Sequence, residues 1–356
     1  MDVRKVALAV LGLLLGAVLV EGAARLLWTR PWYDQLVAEQ ADPDWKGKIH
    51  KNALGFRDRD YASPRPEGVE RVLLLGDSFT FGSGVLDDDR IFAALVESRL
   101  AADPRRRVEV LNAGKPGSLT GDWLATLRRI GPDFRPDVVL VVFFLRDGTR
   151  TTAGEGFFGP IRTEIAMRNR DSWLYRHVHA WRWLRDFRDR REVSERYSRE
   201  IVLAYTGSEV QTAEWRAAQS NLRAIGDEST ALGARAGLVV FPILADFGPD
   251  YPFREVCDRV EQAGIEAGLP TLDLLPAFRG EDAPSLWVSP LDQHPNERGH
   301  EIASQAILPF LRSLLAEGPC RAGVPGAGQQ APVSAARNRG GDSTGPSGGA
   351  SSPVSP

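Results

Sequence analysis

The chain has 356 residues, 43% hydrophobic and 26% charged, which suits one large globular domain or two and excludes a disordered or fibrous class. A net charge of −3 gives nucleic acid no electrostatic footing. With only two cysteines, Cys257 and Cys320, there is no disulfide framework and no thiolate metal cluster; they are two free thiols, or one bridge outside the cytoplasm.

The N-terminus reads Met1-Asp2-Val3-Arg4-Lys5 and then runs apolar from Val6 to Val20, with Glu21 and Arg25 interrupting before Trp28. Counted through to Leu27 the stretch can span a bilayer; counted to Val20 it resembles the apolar region of a signal peptide. Arg4 and Lys5 on the leading side put the N-terminus in the cytoplasm and the rest outside. An uncleaved anchor, a cleaved signal ending near Ala23-Ala24 and a buried soluble helix all remain open. Glu21 and Arg25 stand at pairing distance on one helix face.

From Pro31 to Pro66, Trp32, Tyr33 and Trp45 sit among charges without periodicity, so residues 29–70 read as an approach segment. Val72 to Leu75 is the first strand, a short aliphatic run ending in Gly76-Asp77-Ser78-Phe79. A serine at the carboxyl end of such a strand is well mounted for a nucleophile; the plainer alternative is a turn capped by Asp77 or Ser78. A helix over Asp89 to Ala101 follows, then a strand at Val108–Leu111 leading into Asn112-Ala113-Gly114. A helix marked by Trp123, Leu124, Leu127 and Ile130 precedes a third strand at Val138–Phe144, which ends in Leu145-Arg146-Asp147-Gly148.

Residues 150–208 break the rhythm. A loop is predicted at 154–159. Ser172 to Val193 reads as a helix with its aromatics on one side and many arginines: a helix packed over the domain, a lid, or a surface lying against a membrane or an anionic polymer. The alternation resumes with a helix to about Ala236, a strand at Leu238–Phe241, a helix through Phe253 and Ala267, and a strand at Thr271–Leu274. Asp292-Gln293-His294-Pro295-Asn296 then leads into an apolar last helix. Five strands alternating with helices predict an α/β domain over 71–317, three-layer α/β/α with a mostly parallel sheet. The tail, 318–356, lacks the large apolar residues of a core and reads as disordered.

Ser78, Gly114, Arg146, Asp292 and His294 each follow a predicted strand or precede a helix, so a parallel sheet gathers them on one edge. A serine needs a base, an imidazole suits neutral pH, and a carboxylate orients it. Asp292 stands two residues before His294. Developing negative charge needs donors, and the Ser78 and Gly114 N–H groups are placed to give them. His300 reads as structural, and His177 and His179 as surface residues. No histidine pair has metal-ligand spacing and no glycine-rich phosphate loop follows a strand, so neither a catalytic metal nor a cofactor is expected.

These blocks resemble the SGNH/GDSL hydrolase superfamily, in particular its bacterial membrane-anchored members. Gly76-Asp77-Ser78-Phe79 is similar to the block with the nucleophilic serine. Asn112-Ala113-Gly114 is similar to the block whose glycine N–H joins the oxyanion hole. Asp292-Gln293-His294-Pro295-Asn296 is similar to the block with acid and base. The resemblance runs from Asn52-Ala53-Leu54-Gly55-Phe56-Arg57 to the last helix. It implies a flavodoxin-like fold and a Ser78–His294–Asp292 triad. The sequence departs from the family twice. Arg146 stands where the family places an oxyanion-hole asparagine, and Leu291 stands where it commonly places the aspartate. The resemblance implies an esterase or deacylase (a carboxylic ester hydrolase) acting on an ester or an acylated glycan on the periplasmic side of the cytoplasmic membrane. An O-acyltransferase acting on a cell-surface polysaccharide and a catalytically inactive glycan- or partner-binding module are the alternatives.

Overall fold

The computed structural model describes residues 2–28, 31, 49–149, 164–165, 167–169, 172–290 and 292–316. Trp32, Tyr33, Trp45, the loop expected at 154–159, Leu291, Cys320 and the tail at 318–356 lie outside the described residues.

Helix α1, Val3–Leu27, starts at Asp2, whose side chain accepts from the Arg4 N–H, and none of its residues is buried. It is the one helix among the described residues long and apolar enough to cross a membrane. Its 25 residues reach about 38 Å, more than the ~30 Å hydrocarbon core of a bilayer.

The domain begins with β1, Val69–Gly76, and the single-turn helix α2, Ser78–Phe81. Then come α3 (Phe92–Ala101), β2 (Arg107–Asn112), α4 (Thr120–Phe134) and β3 (Val138–Phe144). The insertion holds α5, Trp173–His177, and the long α6, His179–Thr206. The alternation resumes with α7 (Ala213–Ala231), β4 (Arg235–Phe241), α8 (Arg254–Glu266) and β5 (Thr271–Asp273). The chain closes with α9 (Leu275–Phe278), β6 (Trp287–Ser289), β7 (Asp292–Pro295) and α10 (Glu297–Ala316).

Among the described residues β1 to β5 form one wholly parallel sheet in the order β2-β1-β3-β4-β5. This is the three-layer α/β/α arrangement expected from the alternation. Helix α3 packs on α10, while α4 packs on α7 and α7 on α8. Both faces of the sheet are therefore covered, and β3, at its centre, is buried at every residue. That is why its seven apolar residues show no alternation. The order in which strands are added across the sheet reverses between β1 and β3, the switch point where open α/β sheets bind ligands.

Part of the approach segment is tied to this sheet. The Arg57 guanidinium, buried, donates to Gly82 O (2.7 Å) and Val85 O (2.8 Å) and pairs with Asp88 (2.5 Å). Asp58 Oδ2 accepts from the Asn112 N–H (2.8 Å) at the end of β2. Residues 57 and 58 thus brace the loops after α2 and β2, a role no local periodicity announces.

Candidate active site

Strand β1 ends at Gly76, level with Val142 of β3, and the chain turns at once into α2. A Cβ on Gly76 would lie 2.9 Å from Val142 O and closer still to the Thr80 hydroxyl, so only glycine allows the turn. Asp77 Oδ1 caps α2 through the Phe79 N–H at 2.8 Å. The capped-turn reading and the serine-bearing-turn reading therefore describe the same turn. Ser78 is its first helical residue. An N–H in the first turn of a helix has no intrahelical acceptor, so it can serve a ligand.

The opposite wall is the ribbon β6–β7, where a helix-leading loop was expected. Asp292 and His294 both lie on β7. Residues two apart on a strand share a face, so a spacing of two brings the carboxylate beside its own imidazole. Asp292 Oδ1 lies 2.5 Å from His294 Nδ1 and accepts the His294 backbone N–H at 3.0 Å. His294 Nε2 lies 2.9 Å from Ser78 Oγ. Burial acts to raise the Asp292 pKa, but the His294 hydrogen bonds and charge outweigh it and hold it below the ordinary carboxylate value. The ribbon is pinned by Trp287 Nε1, which donates to Leu244 O at 2.9 Å. Asn296 then caps α10 through the Arg298 and Gly299 N–H groups.

The expected oxyanion residues are both engaged. The Gly114 N–H donates to Asn112 Oδ1 at 3.0 Å. A Cβ on Gly114 would stand 2.4 Å from the Phe81 N, so the glycine lets this loop press against α2. The Arg146 guanidinium points to Asp77 Oδ2 at 3.4 Å instead of standing free as a substituted amide. Ser78 Oγ lies 3.2 Å from the same oxygen. One hydroxyl proton thus faces two acceptors, Asp77 Oδ2 and His294 Nε2. Asp147 is fully buried; burial and the nearby Asp77 charge push its pKa well up, against Arg146. The loop is braced from α6, where the Tyr205 hydroxyl donates to Leu145 O and accepts the Gly148 N–H at 3.1 Å. Nothing in the local sequence marks Tyr205 for this role.

Arg146 is therefore the ion-pair partner of one buried carboxylate, Asp77, and its charge also opposes the rise of the Asp147 pKa. Removing one partner of a fully buried pair costs about 3–5 kcal/mol. With 38% of the Arg146 side chain exposed, we expect Arg146→Ala to cost about 2 kcal/mol in chemical unfolding. Unchanged stability with kcat down by about 10²–10³ would instead mark Arg146 as an oxyanion donor.

His300 is structural, as read. Its Nδ1 accepts the Phe92 N–H at 3.2 Å and its ring stacks on Phe92. Burial, with the charges of Arg57 and His294, pulls its pKa from 6.5 down to about 3. As pH falls through 6.5 the unfolded chain takes up this proton, while the folded chain refuses it until about 3. Stability is lost across that window at roughly 1.4 kcal/mol per pH unit. His300→Asn keeps an acceptor for Phe92 and does not titrate. Its stability between pH 6 and pH 4, from urea unfolding, should fall by about 3 kcal/mol less than that of wild type.

Among the described residues no group of three histidine, cysteine or acidic side chains could hold a metal ion. Cys257 is buried as a free thiol, and burial pushes its pKa up to about 12.

The sequence matches the GDSL-like Lipase/Acylhydrolase family over residues 74–302. No curated protein matches the chain in sequence. Among solved structures, TesA is 16% identical with a TM-score of 0.42, over 69% of this chain and 99% of its own. A lipase/acylhydrolase from Enterococcus faecalis is 18% identical with a TM-score of 0.39, over 71% of this chain and 100% of its own. A catalytic mutant of an acetylxylan esterase from Geobacillus stearothermophilus is 18% identical with a TM-score of 0.41, over 69% of this chain and 94% of its own.

Proposed function

We propose, from the premise that the chain belongs to the GDSL-like lipase/acylhydrolase family, that it is a serine ester hydrolase with Ser78 as nucleophile. The observation that carries this reading is the continuous line Asp292 Oδ1, His294 Nδ1, His294 Nε2, Ser78 Oγ, at 2.5 and 2.9 Å. Asp292, ionised, holds the proton on His294 Nδ1 and leaves Nε2 free to take the Ser78 hydroxyl proton. Ser78 Oγ attacks the ester carbonyl and an acyl-enzyme forms. His294 returns the proton to the leaving alkoxide. Water, deprotonated by His294, attacks the acyl carbon; the bond to Ser78 Oγ breaks, His294 returns that proton to Ser78 and the acid leaves.

The oxyanion is met by the N–H groups of Ser78 and Gly114, the latter shared with Asn112. Arg146 acts one step back. By occupying Asp77 Oδ2 it weakens the rival acceptor, so the Ser78 proton goes to His294. Helix α1 anchors the chain in the cytoplasmic membrane, with Arg4 and Lys5 inside and the catalytic domain outside.

The test is covalent labelling of the full chain in detergent with a fluorophosphonate probe. Wild type should label, and Ser78→Ala and His294→Ala should not. A folded wild type that stays unlabelled would overturn the reading in favour of a binding module without turnover.

A further inference from the structure

The first turns of α6 are built inside out. Their buried side is polar: Arg182, Asp186 and Asp189 are buried, and Asp186 accepts from the Tyr175 hydroxyl (2.6 Å). Arg182 closes α5 by donating to Tyr175 O (3.0 Å) and Arg176 O (2.8 Å). The outward side is apolar. Trp183 is 51%, Leu184 41% and Phe187 59% exposed, Trp181 joins them, and Trp173 and Leu174 of α5 stand out beside them. In water this polarity would be reversed.

Helix α1 says what covers this face. Glu21, just past its uninterrupted apolar run, accepts the His179 and Ala180 N–H groups (3.0 and 2.9 Å) and so caps the start of α6. About two turns further along both helices, Trp28 Nε1 donates to Asp186 (2.7 Å) and Arg190 lies over the Trp28 ring. The two helices thus run side by side in the same direction. The outward aromatics stand at the level of Glu21 to Trp28, where α1 leaves its apolar stretch. Beside Phe187 an open cavity of about 500 Å³ is lined by four arginines, Arg188 among them, and by Asp189, Glu192 and Glu195. Arg185 pairs with Asp189 and Arg191 with Glu195, while Arg188 forms no salt bridge among the described residues.

We propose that α5 and the first turns of α6 are a second membrane contact, seated in the lipid headgroup layer around the exit of α1. Tryptophan and phenylalanine sit in that layer with apolar rings toward the acyl chains, and arginines reach the lipid phosphates. The proposal rests on α1 spanning the bilayer and does not depend on the ester chemistry.

The test uses the full chain in nanodiscs of phosphatidylethanolamine and phosphatidylglycerol. A photoactivatable benzophenone side chain replaces Trp183, Phe187, Val10 or Val210 in turn, and adducts are read by mass spectrometry. Lipid adducts are expected at 183, 187 and 10, and none at 210, which is 86% exposed and distant in sequence. Adducts at 10 with none at 183 and 187 would overturn the proposal and leave the anchor standing. Adducts from 183 and 187 to a second copy of the chain would overturn it in favour of self-association. Absence of lipid adducts at all positions would remove the spanning helix and the proposal together.

Discussion

Ser78→Ala should lower kcat on any ester the wild type turns over by about 10⁴- to 10⁶-fold. The substitution removes the hydroxyl oxygen that lies 2.9 Å from His294 Nε2. What remains is the turn itself, capped by Asp77, together with the ribbon that carries the base. The fold should be unmoved, because alanine suits a helical position and Ser78 Oγ makes only side-chain contacts there. Thermal unfolding of the variant is therefore expected to match wild type within a few degrees. A variant that keeps a tenth or more of wild-type kcat would remove Ser78 from the chemistry.

Asp292→Asn should cost about 10³- to 10⁴-fold in kcat, with little change in KM. The amide keeps the shape of the carboxylate but not its charge, and it leaves the imidazole free to carry its proton on Nε2, the wrong nitrogen. The burial that raises the Asp292 pKa is outweighed by His294, so the carboxylate is ionised at neutral pH. Its contribution to stability is present above the unfolded value, near 3.8, and is lost as pH falls through the lower folded value. Activity loss between pH 7 and 5 thus belongs to other groups. A kcat within tenfold of wild type would show that Asp292 does not orient the base.

The strands that lead into Ser78 and Arg146 are plain in the sequence because burial on both faces leaves an unbroken aliphatic run, as in β1 and β3. The ribbon that carries the base is not. Its strands are Trp287–Ser289 and Asp292–Pro295, too short and too polar for any periodicity. The ribbon explains why Asp292 meets the His294 imidazole at a spacing of two. The partner of Arg146 was equally out of reach. Arg146 follows β3 and Asp77 follows β1, and they meet only because those strands are neighbours in the sheet. The aromatic side of the insertion was legible, but the direction it faces was not, since that depends on which groups α1 and α5 offer to the other side.

Helix α6 also fixes a length. It runs 28 residues, about 42 Å, from the Glu21 contact at one end to Tyr205 near the other, where it holds the loop bearing Arg146 and Asp147. A flexible tether lets an enzyme sweep a volume. A single helix gripped at both ends sets a radius, so Ser78 stands at a nearly constant distance from the place where the chain leaves α1. Under the proposed function an ester has to be presented at that distance, and lengthening α6 by whole turns would change the distance while leaving Ser78, His294 and Asp292 where they are.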